Sequence, residues 1–196
     1  MQQQPRINVS SMTKNRSQKV LIGTCGWSDQ SLVHCGRFYP PSVRTSTEKL
    51  THYSRHFPCV EVDSSCYAIP QPESVRGWTR CVPEGFIFHF KAFGLFPARS
   101  VSTNALPREV RHMLGRQSGI NMDGAVRTDL KDLSPDAIDA LWRAQNAALL
   151  PAYQSGKLGF VMFQFHLSFG PSEENRQHVM WCRERLDHRY AMAVEF

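Results

Sequence analysis

The chain of 196 residues has no apolar run of the roughly 18 or more residues that a membrane-crossing helix needs. Its longest such runs are broken by His89, Lys91, Gln164 and His166, which sets a membrane-spanning role aside. No apolar stretch follows Met1, so a secretory leader is not indicated. The six cysteines, Cys25, Cys35, Cys59, Cys66, Cys81 and Cys182, include no Cys-x-x-Cys pair. Zinc binding by local spacing is therefore not indicated, and the economical reading is six reduced thiols in an intracellular, cytoplasmic protein. Acidic residues are missing from positions 1–28, which hold Arg6, Lys14, Arg16 and Lys19 among Gln, Ser and Asn. Residues 1–18 read as a basic, disordered tail. An organellar transit peptide shares the acid-free, Arg- and Ser-bearing character but calls for more amphipathic apolar content.

What remains is ordinary globular composition, with 41% hydrophobic and 20% charged residues, enough for one folded domain over 19–196. The net charge of +6 favours anionic partners at long range. Strands and helices alternate along it. Apolar runs at 19–25, 59–67, 85–91, 158–166 and 190–196 read as strands. Between them, Thr45 and Glu48 form a capping box, Pro72 opens a second helix, Ser134-Pro135 starts a third and Ser172 caps a fourth. Gly85 and Gly156 mark chain reversals before strands. Residues 94–133 show no strand signal and read as a long excursion holding one short helix. This alternation calls for a parallel sheet with helices packed on it, either an open doubly wound sheet or part of a barrel. The closing strand is apolar and would leave an unpaired edge through which copies of the chain could self-associate.

Four passages, in order and at strand ends, resemble the YecE-like family, also called domain of unknown function seventy-two. They are Gly23-Thr-Cys-Gly-Trp27 with Gly36-Arg-Phe-Tyr-Pro40; Val60-Glu-Val-Asp-Ser-Ser-Cys-Tyr67 with Pro70 and Trp78; Phe86-x-Phe-x-x-Lys91; and Leu158-Gly-x-Val-x-Phe-Gln164 with Ala193-Val-Glu-Phe196. The resemblance implies an α/β fold of the parallel (β/α) TIM-barrel type. The family pattern continues past Phe196, so about five of the eight β-α units of such a barrel are expected here, as in a truncated product. Cys25 stands where that family commonly has Ser, Asp63 where it has Asn, and His166-Leu167 where it has a Pro pair.

Strand periodicity sorts the side chains into two faces. Val60, Val62, Phe86, Phe88, Phe90, Val161, Phe163 and Phe165 form the apolar one. On the other, Glu61, Asp63, Lys91, Gln164, His166 and Glu195 converge at the carboxyl end of a barrel axis, where barrel sites lie. Glu61, Lys91, Gln164 and Glu195 are the candidate catalytic residues: the lysine as base or electrophile, the acids as an acid and base pair or sharing a divalent metal. The same groups would equally serve to neutralise one another in the interior. Candidate ligand-binding residues are Asp63, His166, Cys25, Arg37 and Tyr39. Cys25 ends its strand between glycines, a position suited to a nucleophile near His166 or His34, or to an inert thiol. No cofactor is named by any motif. The partner expected is a small-molecule or phosphate-bearing ligand. Arginines at 37, 44, 99, 108, 111, 116 and 127, with Phe93 and Phe96, keep nucleic acid as a second partner class.

Overall fold

A computed structural model describes residues 20–118 and 126–196, with side chains of 116–118 excepted. The basic tail at 1–18, Arg116 and part of the excursion lie outside these described residues. Four strands, β1 (Cys59–Val62), β2 (Ile87–Lys91), β5 (Leu158–Gln164) and β6 (Met192–Glu195), form one all-parallel sheet in the order β1-β2-β5-β6. Helices α3 (Pro72–Arg80), α6 (Pro135–Gln154) and α7 (Glu173–Arg185) supply the crossovers, and α2 (Ser46–Tyr53) precedes β1. The short α1 (Gln30–His34) lies ahead of them.

The expected alternation is what builds the core. Val60, Val62, Phe88, Phe90, Val161 and Phe163 are all buried beneath the helices, with Leu50, Val75, Leu141, Leu149 and Cys182 packed from the helical side. Burying each such side chain contributes about 1.5–3 kcal/mol. The caps sit where the sequence puts them. Thr45 and Glu48 close a full capping box, Ser134 accepts from the Ala137 N–H, and Ser172 accepts from the Asn175 N–H. Gly156 takes φ +68°, open to glycine at no steric cost, and turns the chain from α6 into β5. Lys157 then reaches back so that its ammonium donates to the Thr79 and Val82 carbonyls at 2.6 and 3.0 Å, tying the end of α3 to the start of β5.

Two expectations need correction. The run at 19–25 is not a ladder strand among the described residues. It lies against β1 through one backbone hydrogen bond, Glu61 N–H to Thr24 O at 3.0 Å. Val20 and Ile22 are 81% and 70% exposed there, and among the described residues no second strand flanks the run. The excursion, in turn, carries strands among its described residues. Helix α4 (Leu95–Ala98) leads into β3 (Ser100–Ser102), which pairs antiparallel with β4 (Arg127–Asp129), and α5 (Arg108–Ser118) intervenes. Three-residue strands are too short to give a period-two signal. The opposite edge, at β6, is equally open, with Phe196 71% exposed. Among the described residues no helix is long and apolar enough to cross a membrane.

Candidate functional site

The side of the sheet away from the helices holds a connected polar row at the carboxyl ends of the strands. Lys91, the last residue of β2, is its centre. Its ammonium lies 2.5 Å from Asp63 Oδ1, 3.7 Å from Glu61 Oε1 and 3.0 Å from Gln164 Oε1. Gln164, at the end of β5, donates its amide onward to Glu195 Oε1 on β6 at 3.0 Å. The register explains this contact, since Gln164 and Glu195 are directly paired across β5 and β6. Asp63 follows β1 in a short 3₁₀ turn. The Ser65 hydroxyl in that turn is shared between the Val62 and Lys91 carbonyls, 2.6 Å from each, so the backbones carrying Asp63 and Lys91 move as one unit.

Beneath the row, His89 stacks on Phe160 with ring centroids 3.8 Å apart. Burial pushes the His89 imidazole below its usual value. Its buried Nδ1 has no hydrogen-bond partner among the described residues.

Cys25 joins the row from the first edge. Burial, then the charge of Glu61 and the hydrogen bond its thiol donates to that carboxylate, push Cys25 above the usual thiol range despite Lys91 nearby. The group is thus held as a neutral donor, which is unlike an activated nucleophile. The segment bearing it is clasped by the buried Tyr53 of α2. The Tyr53 hydroxyl accepts from the Thr24 N–H at 2.8 Å and donates to the Cys59 carbonyl at 3.1 Å.

Lys91 itself stays charged. Burial alone would lower its pKa, but the hydrogen bond and charge of Asp63, with the charge of Glu61, outweigh that and leave it raised. A lysine so held orients and neutralises; it does not supply a free amine at neutral pH. Among the described residues no group of three or more His, Cys, Asp or Glu is placed to hold a metal ion.

The remaining candidates fall elsewhere. His166 turns into the loop after β5, where its Nδ1 lies 2.8 Å from the Ser168 hydroxyl. The Tyr39 hydroxyl donates to the Trp27 carbonyl, and burial pushes it up to about 12. Tyr39 therefore supports the loop of Trp27. Arg37 is exposed and stands beside Cys35, whose thiol is lowered first by the Arg37 and Phe38 backbone N–H groups, against a small burial effect. This contrast has a measurable consequence. With a thiol-specific disulfide reagent near neutral pH, the exposed Cys35 is expected to react first and Cys25 several-fold more slowly, in proportion to thiolate content. Buried Cys182, pushed up to about 12, should wait for unfolding. Loss of the fast phase in Cys35→Ser checks the assignment; a fast phase that persists contradicts it.

Aromatic residues also border the site. Trp27 and Trp78 meet edge to face, 5.2 Å apart, and with Tyr67 they border a cavity of about 690 Å³ that opens beside Cys25 and Asp63. The position of Trp27 and Tyr67 next to polar strand-end residues was the available signal.

A parallel sheet with crossover helices packed on it and a polar row at the carboxyl ends of its strands defines an α/β protein. The chain belongs to the family described as "Protein of unknown function DUF72", which matches residues 21–196. It is 30% identical over 167 residues to the UPF0759 protein YunF of Bacillus subtilis (strain 168), covering 85% of this chain and 47% of that protein. It is 42% identical over 79 residues to the UPF0759 protein YecE of Escherichia coli (strain K12), covering 40% of this chain and 24% of that one. Among solved structures it resembles a DUF72 family protein (EF0366) from Enterococcus faecalis V583, with TM-score 0.56 and 21% identity over 89% of this chain and 50% of that chain. A DUF72 family protein (TM1631) from Thermotoga maritima MSB8 gives TM-score 0.57 and 21% identity over 90% and 55%. The chain thus spans about half the length of the YunF relative and of these structures.

Proposed function

We propose that the four-stranded sheet is an arc of a (β/α) barrel whose axial polar row binds a small polar ligand. The observation that carries this reading is the unbroken chain Asp63–Lys91–Gln164–Glu195, which links β1, β2, β5 and β6 at their carboxyl ends. Ligands of parallel α/β folds bind at that end because the loops there converge and the strand termini present unpaired groups. In a closed barrel the edges now exposing Val20, Ile22 and Phe196 are the ones further strands cover. Glu61, Lys91, Gln164 and Glu195 then act as ligand-recognising groups, with Cys25 as a neutral donor at the rim.

Three carboxylates face one ammonium in the row, which opposes a phosphate-bearing ligand and favours a neutral or cationic one. The nucleic-acid alternative draws less support. Arg99 gives its donors to Glu174 and Asn175, Arg111 bonds the Leu106 carbonyl and Arg127 bonds Ser100.

The test is a thermal-shift screen of small polar compounds, inorganic phosphate included, on the wild type and on Glu195→Gln, which removes a carboxylate at the end of the row while keeping its shape. A compound that binds at the row raises the wild-type Tm and leaves that of the variant unchanged. Equal shifts in both proteins, or no shift with any compound, would overturn the proposal.

A further inference from the structure

We infer that the cavity beside Cys25 and Asp63 admits an organic cation, a small ammonium group carrying apolar substituents. This rests on the ligand-site reading above and gives that ligand a chemical class. The cavity, about 690 Å³, is of the size that holds a small metabolite. Its lining combines Trp27, Trp78 and Tyr67 with the carboxyl groups of Asp29 and Asp63, and among the described residues includes no lysine, arginine or histidine.

The aromatic wall is fixed in place. The Trp27 indole N–H donates to the Ser46 hydroxyl at 3.0 Å, and the backbone carbonyl of Trp27 accepts from Tyr39. Tyr67 stands at the mouth, 70% exposed. The Asp29 carboxylate accepts from the Ser31 hydroxyl and N–H, which hold it below its usual range, and Asp63 lies 2.5 Å from the Lys91 ammonium. Lys91 lies outside this lining, and Glu61, 3.7 Å from its ammonium, adds a second carboxylate beside Asp63.

Three ligand types meet different fates there. A phosphate would face carboxylates with no cationic partner in the lining. An apolar neutral group would strip water from Asp29 and Asp63 without replacing it. A cation with methyl or methylene substituents meets aromatic faces and carboxylates together, the arrangement that recognises alkylammonium groups.

The experiment is calorimetric titration of the full chain at low ionic strength with choline and with its neutral isostere 3,3-dimethylbutan-1-ol. Choline is expected to bind saturably in the millimolar range or below, and the isostere about tenfold more weakly, corresponding to roughly 1.4 kcal/mol of charge-dependent attraction. Tyr67→Ala, at an exposed position that leaves folding intact, should weaken choline several-fold, and Asp63→Asn more. Equal affinity for the isostere, no saturation by choline, or indifference to Tyr67→Ala each overturns the inference. Choline binding that survives Glu195→Gln would keep the cavity assignment while removing the row from it. A screening compound lost in Glu195→Gln, beside a protein that ignores choline, would do the reverse.

Discussion

Lys91→Met is expected to lower the unfolding free energy by about 2 kcal/mol at neutral pH, because it leaves Glu61 and Asp63 facing each other without a cation in a half-covered site. The figure is set below the 3–5 kcal/mol typical of a fully buried broken pair because all three side chains keep some contact with solvent. Gln164 loses the donor to its Oε1 at the same time. The pH dependence has a definite sign. The folded-state pKa of Lys91 lies above its ordinary value of 10.5. The pairing therefore stabilises the fold in full below that value and is lost as pH rises through the higher folded-state value. Urea midpoints of the two proteins should differ at pH 7 and converge only in strong alkali. A Lys91→Met protein as stable as the wild type at pH 7 would mean that the row is a loose surface feature.

Gly23→Ala should be more damaging, by about 3 kcal/mol, through overpacking against a backbone that cannot retreat. A Cβ there would stand 2.3 Å from the Cys59 carbonyl oxygen and 3.0 Å from its Sγ. The Cys59 carbonyl is held by Tyr53, and Cys59 is in register with Ile87, so relief can only come from the 20–25 segment lifting away. That movement breaks the Thr24–Glu61 and Thr24–Tyr53 hydrogen bonds and withdraws Cys25 from Glu61. Two readouts are expected together: a lower urea midpoint and faster Cys25 labelling, as its thiol loses the groups that keep it protonated. Tyr53→Phe, which removes the clasp without a collision, should move both in the same direction by a smaller amount, about 1–2 kcal/mol for two backbone groups left unpaired. A Gly23→Ala protein within about 0.5 kcal/mol of the wild type would show that this segment is not packed on β1.

Much of this architecture is legible in the sequence because it rests on local rules. The Phe86-x-Phe-x-Phe90 and Val161-x-Phe163-x-Phe165 alternations separate the helix-covered face from the polar one, and Thr45-x-x-Glu48 places a helix start to the residue. The same alternation puts Glu61, Lys91, Gln164 and Glu195 on one side, and the parallel register then brings them within hydrogen-bonding reach. Other features depend on tertiary contacts that no local pattern encodes. The 19–25 run has strand composition, but a strand needs neighbours, and β1 alone supplies one hydrogen bond. Strands β3 and β4 find each other across 24 intervening residues, from Ser102 to Arg127, with only three residues apiece. Tyr53 reads as one more apolar position of an amphipathic helix, yet its hydroxyl joins the 20–25 segment to β1. Tyr39 and His166 read as site residues by type and position, yet the fold spends their polar atoms on the Trp27 carbonyl and Ser168.

The claim that the polar row is a ligand site is tested most directly by mapping backbone amide chemical shifts while the strongest compound from the screen is titrated in. Perturbations concentrated at Cys25, Glu61, Asp63, Lys91, Gln164 and Glu195, saturating with one common affinity, are the predicted result. Saturating shifts confined to other surfaces, with these six residues unmoved, would contradict it.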